Sequence, residues 1–386
     1  MGISEFSDPF KKIRQEEGIL KTEDHGEEVN LVLRLKDVRK CAHQWESFKS
    51  GKAKPGRIVI PSEEEIRSIR QIPVETDPPQ HSAFRDLLDT WFKRPLNNDY
   101  QEKLNKIING LLDEVIEEKN VEVVHDFSLK LQSRALALLL NTSMDESETW
   151  ISWGTHVFRA EGNELDQSKA STLDSYILNK IEEATQNPGD DLYSILLESK
   201  VNNRTLTTEE IHGIINLTFA GGRDTVINAL TNSIAYFAEH PDRLKWLKEY
   251  PDSINKAVEE LLRYFSPLTH LGRVSSSDTE ICSHAIKEDA KIGLNWASAN
   301  RDEAVFENPD QIELDRKVNP HVAFGFGIHN CLGATHARQI LRQTIKLLSE
   351  RVASISIHTF EENFEEIGSL KRKTGFESLR VSFNIN

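Results

Sequence analysis

Cysteine is scarce in this chain, as are long apolar runs and any excess of positive charge. Three cysteines, Cys41, Cys282 and Cys331, stand far apart in 386 residues. An odd, sparse set builds no disulfide framework, which points to a reducing cytoplasm. The opening MGISEFSDPFKKIRQEEGIL lacks the apolar core of a signal peptide or membrane anchor, so no membrane association is expected. A net charge of −15 and a pI near 5.4 argue against nucleic acid as a partner, because phosphate binding needs a basic surface. No internal repeat, low-complexity linker or compositional break divides the sequence, and a single domain over residues 1–386 is the simplest expectation.

What the chain does hold is a lone cysteine in a glycine-rich loop just ahead of a helix: Phe324-Gly325-Phe326-Gly327-Ile328-His329-Asn330-Cys331-Leu332-Gly333. Glycine takes positive φ and lets backbone approach a flat ligand closely, so Gly325, Gly327 and Gly333 suit a loop folded under a macrocycle. In the segment that follows, Ala337, Leu341, Ile345, Leu348 and Val352 recur at helical spacing, which leaves Cys331 beside a helix N-terminus. Free N–H groups and the positive end of the helix dipole lower a thiol's pKa at such a place. An isolated cysteine is most often a buried core residue. Three glycines, Phe324 and His329 at fixed offsets favour a thiolate metal ligand instead.

Most of the chain reads as helix, with short strands near residues 28–35 and at the C-terminus, where Leu379, Val381 and Phe383 alternate with polar residues. One helix is expected to run from a capping box at Thr207 and Glu210, through Ile214, Ile215 and Phe219, to His240-Pro241. Roughly thirty residues at 1.5 Å each reach about 45 Å, enough to cross a domain. Within it lies Ala220-Gly221-Gly222-Arg223-Asp224-Thr225, whose two adjacent glycines cost about 1 kcal/mol each relative to alanine. Close helix packing at the glycines, with Thr225 bonding back to the Gly221 carbonyl, is the plain account of that pattern. Glu260 and Arg263 share a helix face closed by Ser266-Pro267, and His81 and Arg85 lie one turn apart after Asp77-Pro78-Pro79. Taken singly, both pairs are solvated surface.

Taken together, these motifs resemble the cytochromes P450. The loop fills every fixed position of that family's F-G-x-G-x-H-x-C-x-G ligand motif. The resemblance implies a mainly α fold with small β-sheets, a single P450 domain with haem b between the long central helix and the cysteine-ligand loop. It makes Cys331 the axial iron ligand, sets Phe324, Gly325 and Gly333 in the loop beneath the haem, and brings His329 to a haem propionate. From G-x-[D/E]-T it implies that Gly221 and Gly222 open a groove for dioxygen while Asp224 and Thr225 deliver protons as a general-acid relay. From D-P-P-x-H-x-x-x-R it makes His81 and Arg85 propionate partners, joined by Arg273. E-x-x-R makes Glu260 and Arg263 a buried pair, completed by an arginine after Ala299-Asn300-Arg301-Asp302, for which Arg316 is the candidate. The motifs follow family order from residue 77 to 333, and the opening Asp8-Pro9 also looks familiar, so the likeness covers nearly the whole chain.

Retention of both Asp224 and Thr225 implies dioxygen chemistry rather than peroxide use. Electrons are then expected from a separate ferredoxin or flavodoxin with its reductase, docking behind Cys331, since the last strand ends close to residue 386. Lys371, Arg372 and Lys373 are candidates for that docking face, a solvated turn being the alternative. Substrate selection in this family comes from the segment ahead of Asp77, a mid-chain helical pair, the central helix and the segment after Arg263. Here those regions hold Trp153, His156, Arg159, Asn216, Thr218, Thr269 and His270, which hint at a hydroxyl-rich substrate; a terpene or fatty-acid pocket would be mostly apolar. The chain also looks like the P450 enzymes of marine sugar-degrading bacteria that demethylate 6-O-methyl-D-galactose to galactose and formaldehyde. Hydroxylation or O-demethylation of an aromatic or terpenoid compound is the alternative. A metal-binding structural module built from His321, His329, Cys331 and His336 is a reading of another class, but their spacing lacks the paired ligands of zinc modules.

Overall fold

The computed structural model describes residues 2–24, 27–52, 54–56, 66–159 and 164–385. Five helices place the site: α1 (Gln80–Phe92), α2 (Thr208–Gly222), α3 (Asp224–Glu239), α4 (Ile254–Phe265) and α5 (Ala334–Arg351). Helix α4 shows how local pattern decides them. Ile254, Ala257, Val258, Leu261, Leu262 and Phe265 recur at helical spacing and all are buried, and the helix stops where Ser266 turns left-handed at φ 42° ahead of Pro267. No helix among the described residues is long and apolar enough to cross a membrane.

Small sheets flank the helices, as expected of a mainly α fold. One has strands β1 (Ile19–Asp24), β2 (Glu27–Val32), β3 (Phe48–Lys49), β5 (His270–Ser275) and β6 (Lys291–Asn295); the other has β4 (Val121–Glu122), β7 (Val352–Ile367) and β8 (Leu370–Ile385). The first runs in the order β1-β2-β6-β5-β3, with only β2 and β6 parallel; the second is antiparallel in the order β7-β8-β4. On β8, Leu379, Val381 and Phe383 are buried, in step with their alternation. The strand expected at 28–35 ends at Val32, because a helix begins at Leu35.

The single long helix expected from Thr207 to His240 is in fact two. The Thr207–Glu210 capping box opens α2 as anticipated, but the helix breaks at Arg223, whose φ and ψ are −93° and −78°. Two separate cores meet at that break. Ile211, Ile214, Ile215 and Phe219 join the core that holds Phe84 and Leu88 of α1, whereas Ile227, Leu230, Ile234 and Phe237 join the core of α4 and α5. A fully buried side chain of this kind contributes about 1.5–3 kcal/mol, so eight such anchors outweigh the few backbone hydrogen bonds lost, at about 1 kcal/mol each. The carbonyls freed by the break are satisfied locally: Thr225 Oγ1 donates to Gly221 O at 3.0 Å and Gln132 Nε2 to Gly222 O at 3.1 Å.

Candidate active site

A cavity of about 900 Å³ opens between the α2–α3 break and the loop ahead of α5. On its floor lies the glycine-rich loop. Cys331 N donates to Phe324 O at 2.8 Å, closing the loop on itself and turning Cys331 toward the cavity it lines. Gly325 and Gly327 take φ of 73° and 75°, and a Cβ on Gly327 would sit 2.5 Å from Ala42 O, so both positions require glycine. Gly333 differs. It caps α5 with φ −80°, and a Cβ there would make only an ordinary 3.9 Å contact with Cys331 Sγ. The lowered thiol pKa expected from the helix N-terminus is not what the fold gives. Although Cys331 is open to the cavity, desolvation by the surrounding protein pushes its thiol up and outweighs the N–H groups of Gly333 and Ala334. Metal coordination reverses that balance, since a coordinating thiol is deprotonated outright.

Four basic side chains gather beside the loop. His81 and Arg85 come from α1, Arg273 from β5, and His329 from the loop itself, and all four line the cavity. The rings of His81 and His329 meet edge to face at 4.3 Å. Burial first, then the charge of Arg85, with a further contribution from Arg273, lowers His81 to about 4; burial and the charge of Arg273 push His329 lower still. Asp77 lies near, but its carboxylate accepts from Ser50 N at 3.0 Å and Gly51 N at 2.9 Å. Both His81 ring nitrogens and His329 Nδ1 are buried with no hydrogen-bond partner among the described residues. Buried groups of one sign that oppose one another fit an anionic ligand. A flat macrocycle with two carboxylates and a thiol-seeking metal, that is haem, matches this donor set, the glycine loop and the cavity together. Ser50, whose Oγ is 3.3 Å from His329 Nε2, joins the group without having been legible in any motif.

On the opposite wall, Gly221, Gly222, Asp224 and Thr225 line the cavity at the helix break. A Cβ on Gly222 would meet nothing within 4 Å and one on Gly221 only Leu217 Cδ1 at 3.7 Å, so close helix packing is not why glycine stands here. Arg223, fully buried, donates to the carbonyls of Trp150 and Gly154, which ties the break to the chain on that side. His156 Nδ1 lies 2.7 Å from Asp224 Oδ2. Burial raises the Asp224 carboxyl, but His156, Arg159 and Arg223 outweigh it and hold the group below its ordinary range. Asp224 Oδ1 has no hydrogen-bond partner among the described residues; His156 was expected near the substrate, but its pairing with Asp224 was not legible.

Glu260, Arg263 and Arg316 come together as the sequence suggested. Arg263 donates twice to Glu260 at 2.8 Å, Arg316 Nε donates to Glu260 Oε2 at 2.9 Å, and all three are buried. Burial raises the Glu260 carboxyl; the two guanidiniums overcome this and keep it ionised. None of the three lines the cavity.

Of the polar residues expected around the substrate, His156, Arg159, Thr218, Thr269 and His270 line the cavity. Trp153 and Asn216 do not: Trp153 packs against Tyr176 and Phe219, and Asn216 bonds Gln71 and Asp174. Part of the segment ahead of Asp77, residues 57–65, lies outside the described residues. Glu365 and Lys371 of the β7–β8 hairpin also line the cavity, and no spacing marked the former. The basic run at 371–373 is neither a docking face nor a solvated turn. Arg372 and Lys373 are buried, Arg372 bonding the carbonyls of Phe265 and Ser266 and Lys373 bonding Ser4 O and Glu362. The zinc reading fails on geometry, because His321 pairs with Glu259, His336 with Tyr100 and His329 with Ser50, and no three metal-ligating side chains converge among the described residues.

Comparison with known proteins agrees with this site. A family model described as Cytochrome P450 matches residues 150–351. The chain is similar to the biotin biosynthesis cytochrome P450 of Bacillus subtilis (strain 168), 31% identical over 79% of this chain and 78% of that one. It is also similar to linalool 8-monooxygenase of Pseudomonas putida, 28% identical over 92% of each. A solved structure described as that of a carbohydrate active P450 superposes with a TM-score of 0.97 at 56% identity, covering 100% of both chains. The chain belongs to the cytochrome P450 family and is a haem b-dependent cytochrome P450 monooxygenase.

Proposed function

We propose that this enzyme oxidatively demethylates a methylated sugar, 6-O-methyl-D-galactose, as one domain over residues 1–386 acting in the cytoplasm. The observation that carries the reading is a cavity wall bearing His156, Arg159, Thr218, Thr269, His270 and Glu365 in a chain that shares 56% identity with a carbohydrate active P450. A purely apolar substrate would bring no polar group to meet this wall.

Haem with a thiolate ligand supplies dioxygen activation, electron donation from sulfur favouring O–O cleavage. Cys331 provides that thiolate on a loop whose glycines permit close approach. His81, Arg85, Arg273 and His329 bind the two carboxylates. Asp224 carries a proton inward from His156, and Thr225, held over the Gly221 carbonyl, passes it on across the groove that Gly221 and Gly222 leave open. The methoxy carbon is hydroxylated with one atom of dioxygen, the other leaving as water with two electrons and two protons. The resulting hemiacetal falls apart to galactose and formaldehyde. Electrons come from a ferredoxin or flavodoxin and its reductase, docking on the face behind Cys331.

Hydroxylation or O-demethylation of an aromatic or terpenoid compound is favoured instead by the apolar side of the cavity, where Leu88, Phe92, Leu136, Leu139, Val157 and Leu217 gather. Titration of the ferric protein with methylated sugars, methoxyaromatics and terpenes, followed by the Soret shift, separates the two. A saturable shift with 6-O-methyl-D-galactose and matching formaldehyde release is expected; shifts with apolar ligands alone would sink the sugar reading. Cys331→Ala abolishes the haem-thiolate absorbance if the ligand is rightly assigned. Thr225→Ala leaves substrate binding intact while diverting electrons into hydrogen peroxide, and unchanged coupling would remove Thr225 from proton delivery.

A further inference from the structure

The cavity wall contains a carboxylate held from behind by a buried relay. Glu365, on β7, accepts a hydrogen bond from the hydroxyl of Thr269 through Oε2. Thr269 Oγ1 in turn accepts from Arg372 Nη1 at 2.8 Å. Because Arg372 can only donate, the Thr269 proton is committed to Glu365, and the donor sense of the whole chain is fixed. Arg372 is held in place by the carbonyls of Phe265 and Ser266. Thr269, His270 and Arg372 are 3%, 2% and 6% exposed, so the relay is part of the protein interior, while Glu365 itself turns into the cavity with 23% of its side chain accessible. His270 Nδ1 stands 3.9 Å from Glu365 Oε1, too far for a hydrogen bond, so Oε1 keeps acceptor positions that no hydrogen bond among the described residues takes.

A carboxylate fixed in orientation, with an open oxygen facing a cavity that also has apolar walls, is costly for an apolar substrate. It serves a ligand that brings hydroxyl donors. Neighbouring hydroxyls on a sugar ring are spaced to donate to the oxygens of one carboxylate, and a site built to receive a hydroxyl rejects the analogue that lacks it. We propose that Glu365, oriented by Thr269 and Arg372 and flanked by His270, is the specificity determinant of this enzyme, accepting hydrogen bonds from ring hydroxyls of a neutral polyol and so aiming its methyl ether at the Cys331 end. The inference rests on the sugar reading and deepens it by naming the group that recognises the ring. Lys371, which also lines the cavity, packs its ammonium 4.4 Å from the Phe364 ring centroid and lies outside the relay.

The test measures dissociation constants for 6-O-methyl-D-galactose and its 2-, 3- and 4-deoxy analogues, by calorimetry and by the Soret shift, on the haem-loaded wild type, Glu365→Gln and Thr269→Val. Glu365→Gln is expected to weaken the parent sugar by about tenfold or more, and Thr269→Val to weaken it by about threefold, since a hydrogen bond to a charged group is worth more than the one that orients it. One deoxy analogue should bind the wild type as weakly as the parent binds Glu365→Gln, and should suffer no further loss in that variant. That non-additivity marks a direct contact; a merely structural role for Glu365 would penalise every ligand alike, imidazole included. Parent affinity unchanged in Glu365→Gln, or additive losses with every analogue, overturns the assignment and leaves the sugar reading standing. Failure of the wild type to bind any methylated sugar overturns both. Were Glu365→Gln not to fold, the deoxy series on the wild type decides: equal affinity for all analogues rejects a hydroxyl-binding carboxylate.

Discussion

Glu260, Arg263 and Arg316 form one buried charged group in this molecule, and His81, Arg85, Arg273 and His329 form a second, half-buried cluster of basic residues, yet the two are built on opposite logic. In the first, one carboxylate accepts from two guanidiniums, and the remaining donors go to carbonyls of Asn300, Glu307, Pro309 and Gln311. Every charge has its partner in the chain, which makes the group architecture. In the second, the members are all basic and lower one another's affinity for protons; Asp77 is engaged by backbone N–H groups, and the half-exposed Asp89 reaches Arg85 only at 3.7 Å while pairing more closely with Lys93. Such a group is completed only by an anion from outside. Burial alone therefore does not separate a structural arginine from a binding one; the origin of the counter-charge does.

The largest effect expected from breaking that comparison lies in the first group. Glu260→Ala leaves Arg263 buried without a carboxylate and Arg316 with only Glu313, 3.5 Å away, a change worth about 3–5 kcal/mol, so the variant should unfold at markedly lower denaturant or fail to accumulate. The haem-free and haem-loaded forms should suffer alike, because none of the three residues lines the cavity. A loss confined to the haem-loaded form would move Glu260 from architecture to cofactor binding.

A smaller effect of different kind is expected in the second group. Arg273→Met removes one of two like charges, so the haem-free protein should be no less stable in denaturant. Haem affinity should fall by roughly ten- to a hundredfold, the worth of a charge-assisted hydrogen bond, as read by transfer to an excess of a haem-scavenging protein. Equal destabilisation of both forms would show that Arg273 is structural after all.

The comparison also explains what the sequence could and could not say. Local signals were legible: the glycine loop around Cys331, the Thr207–Glu210 capping box, the amphipathic face of α4 and the close pair Glu260–Arg263. Arg316 could be nominated because it lies at the expected distance along the chain. The break at Arg223 was not legible, because what decides it is the meeting of two cores that draw α2 and α3 apart, a tertiary effect that overrides helical periodicity. The run at 371–373 misled for the same reason. Charge in a row predicts solvent, but the β7–β8 hairpin carries Arg372 and Lys373 inward to carbonyls and carboxylates that lie far away in sequence. Ser50 and Glu365, and the pairing of His156 with Asp224, entered the site through contacts that no spacing encodes.

The smallest effect is expected from pH, because it titrates buried imidazoles, His81 and His329 in the cluster and His336 beside it, without removing an atom. In the haem-free protein burial, then Arg85 and Arg273, hold His81 at about 4 against an ordinary 6.5. Between those values the unfolded chain takes up a proton that the folded one refuses, so stability falls as pH falls from 6.5 toward 4 and is unaffected above 6.5. Bound carboxylates oppose the field of the two arginines and return His81 toward its ordinary range, which narrows that window. Buried His336, also lowered to about 4, contributes the same slope to both forms and cancels in their difference. Glu260 is shifted in the same direction but in a lower window: its stabilisation is present above 4.5 and is lost only as pH falls below that, haem or no haem. Thermal unfolding across this range should therefore show the haem-free protein losing stability more steeply than the haem-loaded one between pH 6.5 and 4, with both falling together below. His81→Gln should make the haem-free curve less steep between pH 6.5 and 4, with the slope from His329 and His336 remaining, and leave the lower step in place. Parallel curves for the two forms would mean that the basic cluster does not sense the haem carboxylates, and the contrast between the two groups would then rest on geometry alone.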